Sequence, residues 1–185
     1  MPWEKTYDDR DVVERAMRAF WAQGYGGTSV ADLVAATGIN RGSLYSGFTD
    51  KRTLFLTALR HYDRVQREEF LARLARENPP REAILAAFAA AARSPDDTPP
   101  GCLLVNTALE VSPHDAEVRA VVNEALAGVE GFFADRLEAL ETGTGTRATV
   151  QALLGLFLGL RVLTRAGAPQ STREAVSAQV AEMLG

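Results

Sequence analysis

Thiol and imidazole are scarce: the 185 residues hold one cysteine, Cys102, and two histidines, His61 and His114. One cysteine cannot close an internal disulfide, so a reducing cytoplasm is the expected location. Helical HExxH, Cys/His clusters and Gly-rich phosphate loops are all missing, and neither a metal nor a cofactor is expected. A cysteine nucleophile with a histidine base would also need a third, orienting group, and no such context is present, which argues against an enzyme. Long hydrophobic runs are lacking too. The most apolar stretch, Val150 to Leu163, contains Gln151 and Arg161 and is shorter than the ~20 residues of a membrane span. The stretch MPWEKTYDDRDVVER is charged from Glu4 onward and lacks the apolar core of a signal peptide.

What is present is an ordinary globular composition, 46% apolar and 24% charged, with apolar residues recurring at helical spacing, so an all-α chain is expected. The net charge of −4 is unevenly spread. Residues 1–60 hold eight Lys/Arg and seven Asp/Glu, a net of +1, which leaves twelve and seventeen, or −5, for residues 61–185. Between residues 41 and 60, Arg41, Lys51, Arg52 and Arg60 face Asp50 alone. The acidic remainder is not the part expected to meet phosphate.

The basic region belongs to a compact signal, Thr28 to Phe55. Thr28 or Ser29 can cap a short helix with Asp32 answering its first amides, and Val30, Leu33 and Val34 give it an apolar face. Gly38 ends it in the left-handed turn that a residue without Cβ adopts freely. Asn40 is placed to cap a second helix that turns Leu44 and Phe48 inward and leaves Arg41, Gly42, Ser43, Tyr45 and Ser46 outward. In a helix-turn-helix, such a second helix enters the DNA major groove while nearby cations hold phosphates. Upstream, Val12, Val13, Ala16, Met17, Phe20 and Trp21 predict a helix from Asp8 to Gln23, ended by Gly24, that completes a three-helix head. Lys5, Arg10 and Arg15 are cations on that arm, offset by Asp8, Asp9 and Asp11.

The run GYGGTSVADLVAATGINRGSLYSGFTDKRTLF, residues 24–55, resembles the TetR family of bacterial transcriptional repressors. Gly24, Tyr25, Thr28, Ser29, Gly38, Ile39, Leu44, Tyr45, Phe48 and Lys51 occupy places of the family pattern. The resemblance implies that Thr28, Tyr45 and Lys51 hold phosphates and that Arg41, Gly42 and Ser43 face base edges, with Ser46 beside them. Ser46 and Gly47 depart from the aromatic or His pair often found there, and Val34 replaces a commonly small residue. The family further implies a helix-turn-helix DNA-binding domain over 1–50 and an effector-binding and dimerisation domain over 51–185. A homodimer joined through its last two helices would grip a double-stranded, palindromic operator and be released by a partly apolar small molecule. The alternative is a ligand- or redox-sensing helical dimer, acting through Cys102, with altered or lost operator binding.

Past the head, periodicity predicts one long connector helix from Lys51 to about Glu77, then Arg81–Arg93, a loop at 94–101, a short helix in CLLVNTALEVS and a long one from His114 or Asp115 to about Leu140. A Gly/Thr loop over Glu141–Thr146 precedes an apolar helix at Thr149–Arg165 and a last amphipathic one at Ser171–Leu184. Thr149–Arg165 is apolar on nearly all sides, which calls for burial on more than one face and so for a subunit contact. A small-molecule pocket between helices needs apolar walls and a few orienting polar groups. Tyr62, Phe88, Phe133 and Phe157 are candidate walls; Asn106, Glu110 and Arg161 are candidate polar groups, with Cys102 as a candidate sensor thiol. A cation inside an apolar helix wants a partner, and Glu110 or Glu130 is expected to supply it for Arg161.

Overall fold

The computed structural model describes residues 8–93, 98–140 and 146–185, all helices and connections, with no strand among them. Lys5, part of the 94–101 loop and most of the Glu141–Thr146 loop lie outside the described residues. The helices are α1 (Asp9–Gly27), α2 (Val30–Thr37), α3 (Arg41–Phe48), α4 (Lys51–Tyr62), α5 (Glu69–Glu77), α6 (Pro80–Ala92), α7 (Leu103–Glu110), α8 (Ala116–Glu138), α9 (Arg147–Arg165) and α10 (Gln170–Met183).

Local chemistry sets most of the boundaries. The Asp8, Asn40, Asp50, Asp115 and Thr146 side chains each accept a backbone N–H in the first turn of the helix they precede. Ser29 and Asp32 form a reciprocal capping box on α2, and such caps are each worth about 1 kcal/mol. Gly38 closes α2 at φ 75° and donates its N–H to Val34 O. Gly24 interrupts α1 at φ 80°, ψ 171°, a backbone region open essentially to glycine alone. The chain then makes one more turn to Gly27, so α1 breaks where expected but runs further than the expected end at Gln23.

The connector differs from the expected single α-helix. Between α4 and α5 the residues Asp63–Glu68 form a π-helical segment, clasped by the Arg67–Asp63 ion pair. In a regular α-helix, residues four apart drift by about 40° around the axis. Tyr62, Gln66 and Phe70 nevertheless face the same interior space, as residues four apart on a helix do.

Two apolar clusters organise the packing. The first joins the inner faces of α1, α2, α3 and α4 to Leu103 and Leu104 of α7 and to Val118, Val121, Val122 and Ala125 of α8. The second lies between α5, α6, α8, α9 and α10. Alanines 83, 87 and 91 of α6 are fully buried and let α9 come close; there the Thr164 hydroxyl donates to Ala91 O and Leu160 O at 2.9 Å each. Arg173 and Arg81 tie α10 to the rest by donating to the carbonyls of Ala92 (2.7 Å) and Gly185 (3.1 Å). By length and composition α9 is apolar enough to cross a membrane. One of its sides packs inward through Val150, Leu153, Phe157 and Leu160, while Ala152, Gly155, Gly159 and Val162 form an exposed stripe on the other.

Candidate nucleic-acid interface and effector pocket

The two short helices of the head present one face to solvent. Leu44 and Phe48 anchor α3 from within; Arg41, Gly42 and Ser46 are exposed, and Ser43 and Tyr45 half-buried. Arg41 lies 5.5 Å from the Tyr45 ring centroid, a cation–π contact that orders the base of the exposed guanidinium. Asn40 Oδ1 accepts the Ser43 N–H at 2.8 Å, leaving the start of α3 pointing outward with a well-defined backbone. At the far end Thr49 takes φ 60°, an unusual conformation for a β-branched residue; it turns the chain sharply into α4. Lys51 Nζ sits 4.3 Å from the Tyr25 ring centroid. Burial first, and the Asp50 charge next, raise the Tyr25 pKa above its usual value, so its hydroxyl stays neutral beneath Lys51.

Thr28 is a correction. Its residue is fully buried and its hydroxyl donates to Gly24 O at 2.6 Å, so the side chain cannot reach a phosphate; it braces the break in α1. Two of the four cations counted in the basic region are also spoken for. Arg52 binds Asp115 at 2.6 and 3.0 Å and Glu117 at 2.9 Å, and Arg60 reaches Glu117 at 3.2 Å. Hydrogen bonds from Arg52 hold both carboxyls below their usual pKa. Of those four, Arg41 and Lys51 form no ion pair among the described residues. His61 is satisfied by Glu14, 2.9 Å away.

Behind the head, a narrow cavity, partly open to solvent, lies among α4, the π segment, α5, α7, α8 and α9. Tyr62, Cys102, Phe157 and Arg161 all line it. Phe88 and Phe133 do not; they stand behind Phe157, with ring centroids 5.6 and 5.7 Å from it. Asn106 is half-buried outside the lining, its Nδ2 without a partner. Glu110 is far from the expected role: its carboxylate accepts the N–H groups of Tyr25 (3.0 Å) and Gly26 (2.6 Å), just past the break in α1. It cannot serve Arg161. Gln66, Arg67 and Phe70 also line the cavity; in the sequence they are one more turn of an amphipathic connector, with nothing to show that a cavity lies beside it.

The cavity touches the head. Burial raises the Tyr62 pKa well above its ordinary value, with the neighbouring Cys102 adding to the effect; its ring meets Trp21 of α1 edge-on at 4.9 Å. One turn beyond Arg161, Arg165 donates to the carbonyls of Trp21 (3.2 Å) and Ala22 (2.8 Å). Thus α7 and α9 grip α1 from both sides of Gly24, one through amides and the other through carbonyls. Among the described residues, no group of three His, Cys, Asp or Glu is placed to hold a metal ion.

A capped helix-turn-helix mounted by its first helix on a hollow helical body is the architecture of a DNA-binding transcriptional regulator that carries its own sensing domain. The chain belongs to the TetR family. The family model described as bacterial regulatory proteins, tetR family, matches residues 12–58. The HTH-type transcriptional regulator YezE of Bacillus subtilis is 34% identical over 143 residues, covering 75% of this chain and 73% of that protein. The HTH-type transcriptional repressor ComR of Escherichia coli is 36% identical over 117 residues, 62% of this chain; the match spans only 56% of ComR. Among solved structures, a cysteine-substituted form of the TetR family regulator CifR, complexed with 26-bp double-strand operator DNA, superposes with a TM-score of 0.81. It is 28% identical, and the match covers 97% of this chain and 96% of that one.

Proposed function

We propose that the protein is a homodimeric, cytoplasmic TetR-family repressor that binds a palindromic operator and is released from it by a small molecule entering the body cavity. The observation that carries the reading is the outward face of α3, polar and free of large aliphatics, held by caps at both ends of the helix-turn-helix. Arg41, Gly42 and Ser43 are assigned to base edges, Tyr45, Lys51 and Ser46 to the adjoining backbone. DNA reading belongs to residues 1–50; effector binding and self-association belong to 51–185, although α4 shares the head's apolar cluster. The exposed stripe Ala152, Gly155, Gly159 and Val162 supports pairing of α9 and α10 with their copies. A two-fold dimer would then set two recognition helices about one DNA turn or a multiple apart. Nothing in this scheme requires catalysis.

Release follows from linkage: a ligand lowers operator affinity only by preferring the arrangement whose heads are wrongly spaced. The contacts of Tyr62 with Trp21 and of Glu110 and Arg165 with the end of α1 supply the connection.

The test is selection of genomic DNA fragments by the purified protein, repeated with Arg41→Ala and Tyr45→Ala. A palindromic motif is expected, with Arg41→Ala costing about 1–3 kcal/mol of affinity and relaxing one position. Lack of any enriched sequence at low salt would sink operator binding. It would leave the second reading, a sensing dimer without operator, favoured by the half-exposed Cys102 in the cavity wall. Unchanged response to oxidants or electrophiles in Cys102→Ser would remove the thiol from that reading.

A further inference from the structure

The cavity is electrostatically incomplete. Among the described residues no carboxylate lines it, whereas two guanidinium groups do, those of Arg67 and Arg161. Arg67 is already compensated by Asp63, with Nη2 to Oδ2 at 2.8 Å. Arg161 has no ion pair and no hydrogen bond among the described residues, and its Nε is shielded from solvent without a partner. Both acids that the sequence offers it fail: Glu110 is bound to the backbone of α1, and Glu130 forms no ion pair among the described residues. The Arg161 guanidinium lies 5.3 Å from the Phe157 ring centroid. A planar cation on an aromatic face still offers its N–H edge to an acceptor. An Nε buried without an acceptor is costly in apolar surroundings, and a ligand entering the cavity can supply that acceptor.

Resting on the effector-pocket reading above, we propose that the cavity takes an amphipathic monoanion, a carboxylate on an apolar alkyl or aryl body, and that Arg161 is its counter-charge. One uncompensated cation calls for one negative charge. Phe70, Leu104, Leu126, Val129 and Phe157 suit an apolar body. A neutral ligand of the same shape would leave Arg161 unpaired, and an amine would add a second positive charge beside it.

Calorimetry on the purified full chain without DNA tests this, using decanoate, decanol and decylamine as matched probes together with benzoate and phenylacetate. Decanoate is expected to bind at least ~10-fold more tightly than decanol, with decylamine weakest, each tenfold corresponding to about 1.4 kcal/mol. Arg161→Gln should bring decanoate and decanol level, while Arg161→Lys should keep part of the preference. Equal binding of decanoate and decanol by the unaltered protein, an undiminished preference in Arg161→Gln, or no binding of any carboxylate at millimolar concentration would each overturn the proposal. The unaltered protein alone decides the first and third outcomes, so misfolding of a variant does not shield the idea. A protein that prefers decanoate through Arg161 but selects no DNA supports the anion site while refuting operator binding. One that holds an operator and releases it only for neutral ligands does the reverse.

Discussion

Thr28 shows how a residue can match a family pattern and do different work from the one expected. A hydroxyl at a helix-turn-helix boundary reads as a phosphate ligand until the break at Gly24 folds the chain over it. Its donor then satisfies the Gly24 carbonyl 2.6 Å away in a place that solvent does not reach. Thr28→Val, nearly the same shape without the donor, is expected to cost about 1 kcal/mol of stability, read as a lower urea midpoint, with operator affinity of the folded protein nearly unchanged. A large loss of affinity at constant stability would restore the phosphate contact. Glu110 and Arg161 teach the same lesson in opposite directions. Both were legible as polar groups in apolar helices, but their partners were not. Glu110 reaches backbone 84 and 85 residues away, and Arg161 has neither a hydrogen bond nor an ion pair among the described residues.

Elements whose limits depend on neighbours in sequence were legible; those shaped by packing were not. Ser29 and Asn40 cap their helices within three residues, so local spacing was enough to find them. The π segment at Asp63–Glu68 leaves no such mark, since its residues have ordinary helical preferences. The seam between α4 and α8 was equally hidden: Arg52 and Arg60 read as DNA-facing charge until Asp115 and Glu117 came alongside. That seam has a pH signature. Arg52 holds Asp115 and Glu117 below their usual pKa, so their contribution to stability is complete above the ordinary carboxylate range, near pH 4. It is lost as pH falls further, through their folded-state values. Asp115→Asn keeps a capping side chain on α8 while removing the charge. Its thermal midpoint should be lower than that of the unaltered protein at pH 7 and fall less steeply below about pH 4. Parallel curves would show that the solvent-exposed pair adds nothing, the usual fate of screened surface ions.

At the scale of the whole molecule, the proposed function requires two copies. Val162 is 42% exposed on the α9 stripe, and Val162→Arg would set like charges across the two-fold axis. Light scattering should then report monomers at micromolar concentration, and operator affinity should fall by about 100-fold or more as the two half-sites lose their linkage. A dimer that survives the change would move the interface elsewhere. The grip on α1 also bears on modularity. Arg165 seeks carbonyls before Gly24 and Glu110 seeks amides after it, so the body reads the end of α1 like a socket with two unlike poles. A head transplanted from another member of the family will seat in this body only if its own first helix breaks at the same residue; one with an unbroken helix presents neither pole in place. Grafted chimeras should therefore be chosen by where that helix breaks before any comparison of their recognition helices.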